Sequence, residues 1–126
     1  MATKKFRKYD GTTYEADREV KILKLISIHN TDYYKGKNHD DFTFVDYDGN
    51  YYHYHASLNA DMTEYDSDIA KKLAFGEGEY FKISAYFIPH YDVSHFMYLP
   101  RFVKWQKLFT ILTKLCIITI KNFIGN

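Results

Sequence analysis

The chain has 126 residues and a mass of 15.0 kDa, the size of one compact domain with at most a short appendage. It is 46% hydrophobic and 19% aromatic, with 2 Pro and 6 Gly, which excludes a collagen-like or Pro/Gly-rich disordered polymer. The net charge of +1 hides a segregation. Lys4, Lys5, Arg7 and Lys8 open the chain without an acid, Arg101, Lys104, Lys107, Lys114 and Lys121 close it without one, and all 16 acids lie between.

The single cysteine, Cys116, leaves no internal disulfide to staple a secreted scaffold. The basic start lacks the apolar run of a signal peptide, and no uninterrupted apolar stretch reaches the roughly 18 residues that span a bilayer. A soluble, cytoplasmic domain is the expectation. Charge asymmetry of this kind points to a partner or a surface, or to basic ends that fold back on the acidic middle.

In chain order, Glu19 to Ile28 is β-branched and leucine-rich. Val20, Ile22, Ile26 and Ile28 share one strand face and Leu23 and Leu25 the other, which suits a bent strand serving two sheets; a helix is the competing reading. His29 to Asp40 is polar and turn-forming. Phe42 to Val45, then Asp46-Tyr47-Asp48-Gly49-Asn50, then Tyr51 to Ala56 reads as strand, tight turn, strand, with Asp48-Gly49 tolerating positive φ.

Within Ser57 to Phe75, Met62, Tyr65, Ile69 and Leu73 mark one helical face. Asp61 or Thr63 would cap it, Lys71 and Lys72 suit its end, and Gly76 stops it. Glu79 to Ile88 alternates Phe81, Ile83, Ala85 and Phe87 against Tyr80, Lys82, Ser84 and Tyr86, and Pro89 ends it. His95 to Val103 is a last strand, in which Pro100 marks an edge or a bulge. Five strands with a helix between the third and fourth predict a mainly β protein, an OB-fold-like β-barrel over residues 1–104 with a basic N-terminal arm.

Residues 105–126 form a separate tail. Trp105, Leu108, Phe109, Leu112, Leu115, Cys116 and Phe123 fall on one side of a helix, with Lys107, Lys114 and Lys121 on the other. A C-terminal amphipathic helix is expected, with a strand over 115–120 as the alternative because Ile117, Ile118 and Ile120 are β-branched. Such a tail would pack on the barrel, join copies in a homo-oligomer, or lie on an anionic membrane, the last being the least common use.

Two stretches resemble a small OB-fold, single-strand-binding-like domain that recurs in phages and other mobile elements. One is Phe44-Val45-Asp46 running through Asp48-Gly49-Asn50 to an aromatic strand that closes on Ser57. The other is His90 and Tyr91 followed by Leu99 and Arg101. The resemblance covers about half the chain, roughly 41–57 and 79–103. The chain departs from the pattern at Asp92-Val93, where a Gly is usual, and at Met97, where a Thr is. Asp92, Ser94 and His95 replace the lysines usual around that loop.

The resemblance implies a non-enzymatic module that binds single-stranded DNA or RNA by stacking bases on exposed rings while a basic groove tracks phosphates. The candidate rings are Phe42, Phe44, Tyr52, Tyr54 and Tyr86, and the candidate bases are Lys24, Lys35, Lys37, Lys82 and Arg101. On the hairpin, Tyr51, His53 and His55 share one face and Tyr52, Tyr54 and Ala56 the other; one set faces the core, or the rings simply fill the barrel.

The acidic middle supports a second function: a protein-interaction module, for example a phage-encoded anti-defence inhibitor of a host nuclease, in which Asp61, Glu64, Asp66 and Asp68 imitate a nucleic-acid backbone toward a basic host protein. His53 and His55 share a strand face that His90 and His95 could approach, but no Cys lies near them and no HExxH or CxxC spacing exists; Cys116 sits in the apolar tail, so no metal, cofactor or catalytic group is assigned.

Overall fold

A computed structural model describes residues 3–8, 10–34, 37–91 and 93–104. The predicted tail helix at 105–126 lies outside the described residues, as does Lys35. The elements in order are β1 (Lys4–Arg7), β2 (Thr13–Ala16), β3 (Glu19–Tyr34), β4 (Lys37–Val45), β5 (Tyr51–Ser57), α1 (Asp68–Leu73), β6 (Tyr80–Pro89) and β7 (Ser94–Phe102). Strands β3-β4-β5-β7-β6 close into a barrel, and β1-β2 form a separate two-stranded sheet. All barrel neighbours are antiparallel except β5 and β7. The protein is mainly β, and a closed five-stranded barrel of this order is consistent with an OB-like fold.

The central strand β3 runs for 16 residues, far past Ile28, so much of the polar stretch read as a turn belongs to the β3–β4 hairpin. Its register against β4 shifts between Leu25 and Ser27. An extra residue at such a bulge turns the following side chains over. Leu23 and Leu25 are therefore fully buried and Ile28 also packs on the core, while Val20, Ile22 and Ile26 stand exposed. The strand serves one barrel rather than two sheets.

In the β4–β5 turn Gly49 takes φ 84°, and the Asp46 carboxylate accepts from the backbone N–H groups of Asp48 and Asn50, each at 2.9 Å. The expected arm is instead the β1–β2 hairpin. It docks through Phe6, whose ring stacks on Tyr98 at 4.9 Å and lies 5.3 Å from Tyr86.

The helix is shorter than the Met62–Leu73 periodicity predicts. Ser67, rather than Asp61 or Thr63, caps it by accepting from Ala70 N at 3.2 Å. Asn59 holds the preceding segment as a loop, accepting from Thr63 N at 2.9 Å, so Asp61, Glu64 and Asp66 stay outside the helix and only Asp68 enters it. Ala70 and Leu73 plug the barrel's end, and a Cβ at Gly76 would collide with the Phe81 ring.

Candidate nucleic-acid interface

Strand alternation assigns the two faces of the β4–β5 hairpin, and it assigns them against the stacking platform. Phe42 and Phe44 are fully buried and Tyr52 is 2% exposed, so these three rings fill the barrel and cannot receive a base. Tyr54 is half-buried at the margin of the same core; its hydroxyl meets Ser67 Oγ at 2.9 Å and its ring lies 6.1 Å from Phe42. The reason is chemical. Tyr52 places its ring inside while its hydroxyl donates to Asp46 at 2.7 Å, an outlet the histidines at 53 and 55 lack there. Burial opposes the Asp46 charge, but hydrogen bonds from Tyr52, Asn50 and Asp48 outweigh it and hold this carboxyl below its ordinary value.

The outward face of the hairpin is a polar network. The Asp41 carboxylate lies 3.0 Å from His53 Nδ1 and 3.9 Å from His55 Nε2, Thr43 Oγ1 lies 3.2 Å from the same His53 nitrogen, and Ser57 Oγ is 3.1 Å from His39 Nε2. Phe96 of β7 sets its ring edgewise to His55 at 5.3 Å. Burial lowers the pKa of His55, more than Asp41 raises it, and burial does the same at His90. Among the described residues no group of three or more His, Cys, Asp or Glu is arranged to hold a metal ion.

Exposed rings and bases come together elsewhere, on the outside of β3, β6 and β7. The register pairs Val20 with Ser84, Ile22 with Lys82 and Lys24 with Tyr80, and pairs Arg101 with Ser84 and Tyr98 with Tyr86. Paired residues share a face, and Ile83, Ala85 and Phe87 are buried, so Tyr80, Lys82, Ser84 and Tyr86 point outward with their partners. No acid stands at these outward strand positions.

At one end Tyr47, 81% exposed at the hairpin turn, stacks on Tyr80 with centroids 5.8 Å apart and planes 15° from parallel. Lys24 Nζ lies 5.8 Å from the Tyr80 ring. At the other end Tyr86 is engaged by its own chain. The Arg18 guanidinium sits 4.7 Å over its ring and donates to Ser84 O at 2.8 Å, Lys4 Nζ is 5.8 Å away, and the Phe6 ring packs against it at 5.3 Å.

Of the sequence-predicted residues, the structure thus gathers Lys24, Lys82, Arg101 and Tyr86 on one surface and separates them from Phe42, Phe44, Tyr52 and Tyr54. Lys37 opens β4, away from this register. The acidic candidates Asp61, Glu64 and Asp66 are exposed in the β5–α1 connection, and Asp68, also exposed, begins α1. Sequence reasoning missed Tyr47 and Tyr80 as a pair. Their signals were present: a tyrosine at the tip of an Asp-Gly turn, and a tyrosine in the outward phase of the Glu79–Ile88 alternation.

No protein-family model, no curated protein and no solved structure matches this chain. No helix among the described residues is long and apolar enough to cross a membrane.

Proposed function

We propose that the chain is a non-enzymatic module that binds single-stranded nucleic acid on the outer surface of β3, β6 and β7, an OB-like domain of the kind its sequence resembles in phages and mobile elements. One observation carries the reading: the solvent-facing Tyr47–Tyr80 stack lies in line with Lys24, Lys82 and Arg101 on a face without acidic strand residues. Base-on-aromatic stacking contributes about 1–3 kcal/mol per base, and lysines and arginines beside it neutralise phosphates. The test is fluorescence anisotropy of labelled oligo-dT at low and moderate salt. Binding should weaken with salt and fall about tenfold in Tyr80→Ala, within the stacking range. Binding that is absent at low salt, or equal in wild type and in the Tyr47→Ala/Tyr80→Ala double variant, defeats it.

A second reading is favoured by the acidic loop. Asp61, Glu64 and Asp66 are exposed, and among the described residues the only ion pair of this segment is Asp68 with Lys71 at 3.9 Å. A run of solvated carboxylates suits a basic protein groove, such as that of a host defence nuclease. Loss of co-purification with such a protein on replacing Asp61, Glu64 and Asp66 by Asn or Gln, with no oligonucleotide binding, would select this reading over the first.

A further inference from the structure

The barrel wall has a defect between β5 and β7. These strands run parallel and, among the described residues, pair only over Tyr51–His53 with Ser94–Phe96. Beyond that, among the same residues, β5 is paired only with β4 and β7 only with β6. Leu99 takes a left-handed φ of 53°, and Pro100 follows it with no N–H to offer a neighbour. The ladder against β6 shifts register across this stretch. The strands part here, and a cleft of about 180 Å³ opens between them.

Its lining is aromatic and polar at once. His53, His55, Phe96 and Tyr98 border it, His39 and Leu99 complete the rim, and the interior-facing Tyr54 and Met97 also line it. Among the described residues no lysine or arginine lines it, so no permanent positive charge there favours a phosphate or a carboxylate. The Asp41 carboxylate lies 3.0 Å from His53 Nδ1, and Nε2 is the ring's other polar atom. Burial lowers the pKa of His55 and so favours its neutral form, which has one N–H donor and one acceptor nitrogen.

We propose that the β5–β7 cleft is a binding site for one planar, uncharged heteroaromatic ring, a nucleobase, seated against Phe96 with its polar edge toward His53 and His55. A base carries a flat π surface and adjacent donors and acceptors, the two features this lining complements. As a base of a bound strand it extends the function proposed above and rests on it; as the base of a free nucleoside it stands alone. β7 borders both the cleft and the outer surface, so one strand can reach both.

The experiment is a titration of the full chain with adenosine, guanosine, cytidine and uridine, and separately with oligo-dT and oligo-dA, followed by the imidazole and Phe96 ring proton NMR signals. At least one nucleoside should shift the His53, His55 and Phe96 signals, with affinity reduced tenfold or more in Phe96→Leu and in His55→Leu. Phe96→Leu keeps an apolar side chain and removes only the ring; its circular dichroism and melting curve establish that it folds.

An oligomer that binds much more tightly than any nucleoside, and loses affinity in Phe96→Leu, makes the ligand a strand. Equal affinities make it a free nucleoside. If oligomers bind but neither they nor any nucleoside perturbs the cleft signals, this inference fails and the outer-surface reading stands. If nucleosides perturb the cleft but no oligomer shows salt-dependent binding, the outer-surface reading fails and the cleft stands.

Discussion

The β4–β5 hairpin and the β3–β6 ribbon share one barrel and use aromatic residues in opposite senses. In the hairpin, Phe42, Phe44 and Tyr52 point inward and the outward row is Asp41, Thr43, His53 and His55. In the ribbon, Leu23, Ile83 and Ala85 point inward and Tyr80 stands outside beside Lys24 and Lys82. Both obey a period of two. Which phase goes inside is decided by the alternate residues. Where these are charged or polar-imidazole groups, tyrosine is the best remaining filler; where they are aliphatic, tyrosine is released to solvent. A ring's identity therefore says little about its job until its neighbours one position away are read.

The sharpest way to break that contrast is to truncate one ring from each region. Phe42→Ala should cost about 3–5 kcal/mol of stability in urea denaturation, because a fully buried ring leaves a cavity that the barrel closes only in part. Tyr80→Ala should stay within about 0.5 kcal/mol, as a solvent-facing side chain away from caps and core does. Comparable losses in the two variants would mean that the ribbon's tyrosines are structural too.

A finer cut separates the two ends of a single residue. Tyr52→Phe keeps the ring against Phe87 and His95 but removes the donor to Asp46. Hydrogen bonds to a charged acceptor contribute about 1.5–3 kcal/mol, so the loss should fall in that range and well below that of Tyr52→Ala. A Tyr52→Phe variant as stable as wild type would show that Asp46 is satisfied by its turn N–H groups alone.

On the ribbon side the corresponding effect is electrostatic. Lys82→Ala and Arg101→Ala should each lower the slope of log affinity against log salt for oligo-dT by about one, with little change in melting temperature. An unchanged slope in both variants would remove them from the phosphate path.

Much of this architecture was legible because it is local. The Asp48-Gly49 turn, the Phe81-Ile83-Ala85-Phe87 phase and the break at Pro100 all carry their physics within a few residues. The extra length of β3 and the flip at its Leu25–Ser27 bulge were not legible, since both depend on pairing with a distant strand. The helix came out short because Asn59 captures the loop backbone and Ser67 starts the cap, a competition that periodicity does not weigh. The site suffered most. Lys24, Lys82 and Arg101 could be named from charge, but their gathering on one face is a matter of barrel register. The cleft arises from strands that stop pairing, which leaves no motif at all.

The mildest perturbation tests the histidine side of the contrast. Burial lowers the pKa of His55, His90 and His95 below the ordinary 6.5, so the folded state holds fewer protons there than the unfolded chain does. Their contribution to stability is complete above pH 6.5 and is lost as pH falls through the folded-state values, because protons then bind the unfolded state first. At His95 the Tyr51 backbone, Asp46 and Glu19 oppose burial while Lys21 adds to it, and its buried Nδ1 has no hydrogen-bond partner among the described residues. His95→Phe keeps a ring to stack on Tyr52 and removes the titrating group. Urea midpoints measured from pH 7.5 downward should fall less steeply for His95→Phe than for wild type. If His95→Phe tracks the wild-type curve, the acid sensitivity lies with His55, which lines the cleft, and His90, whose ring lies 4.3 Å from Phe96.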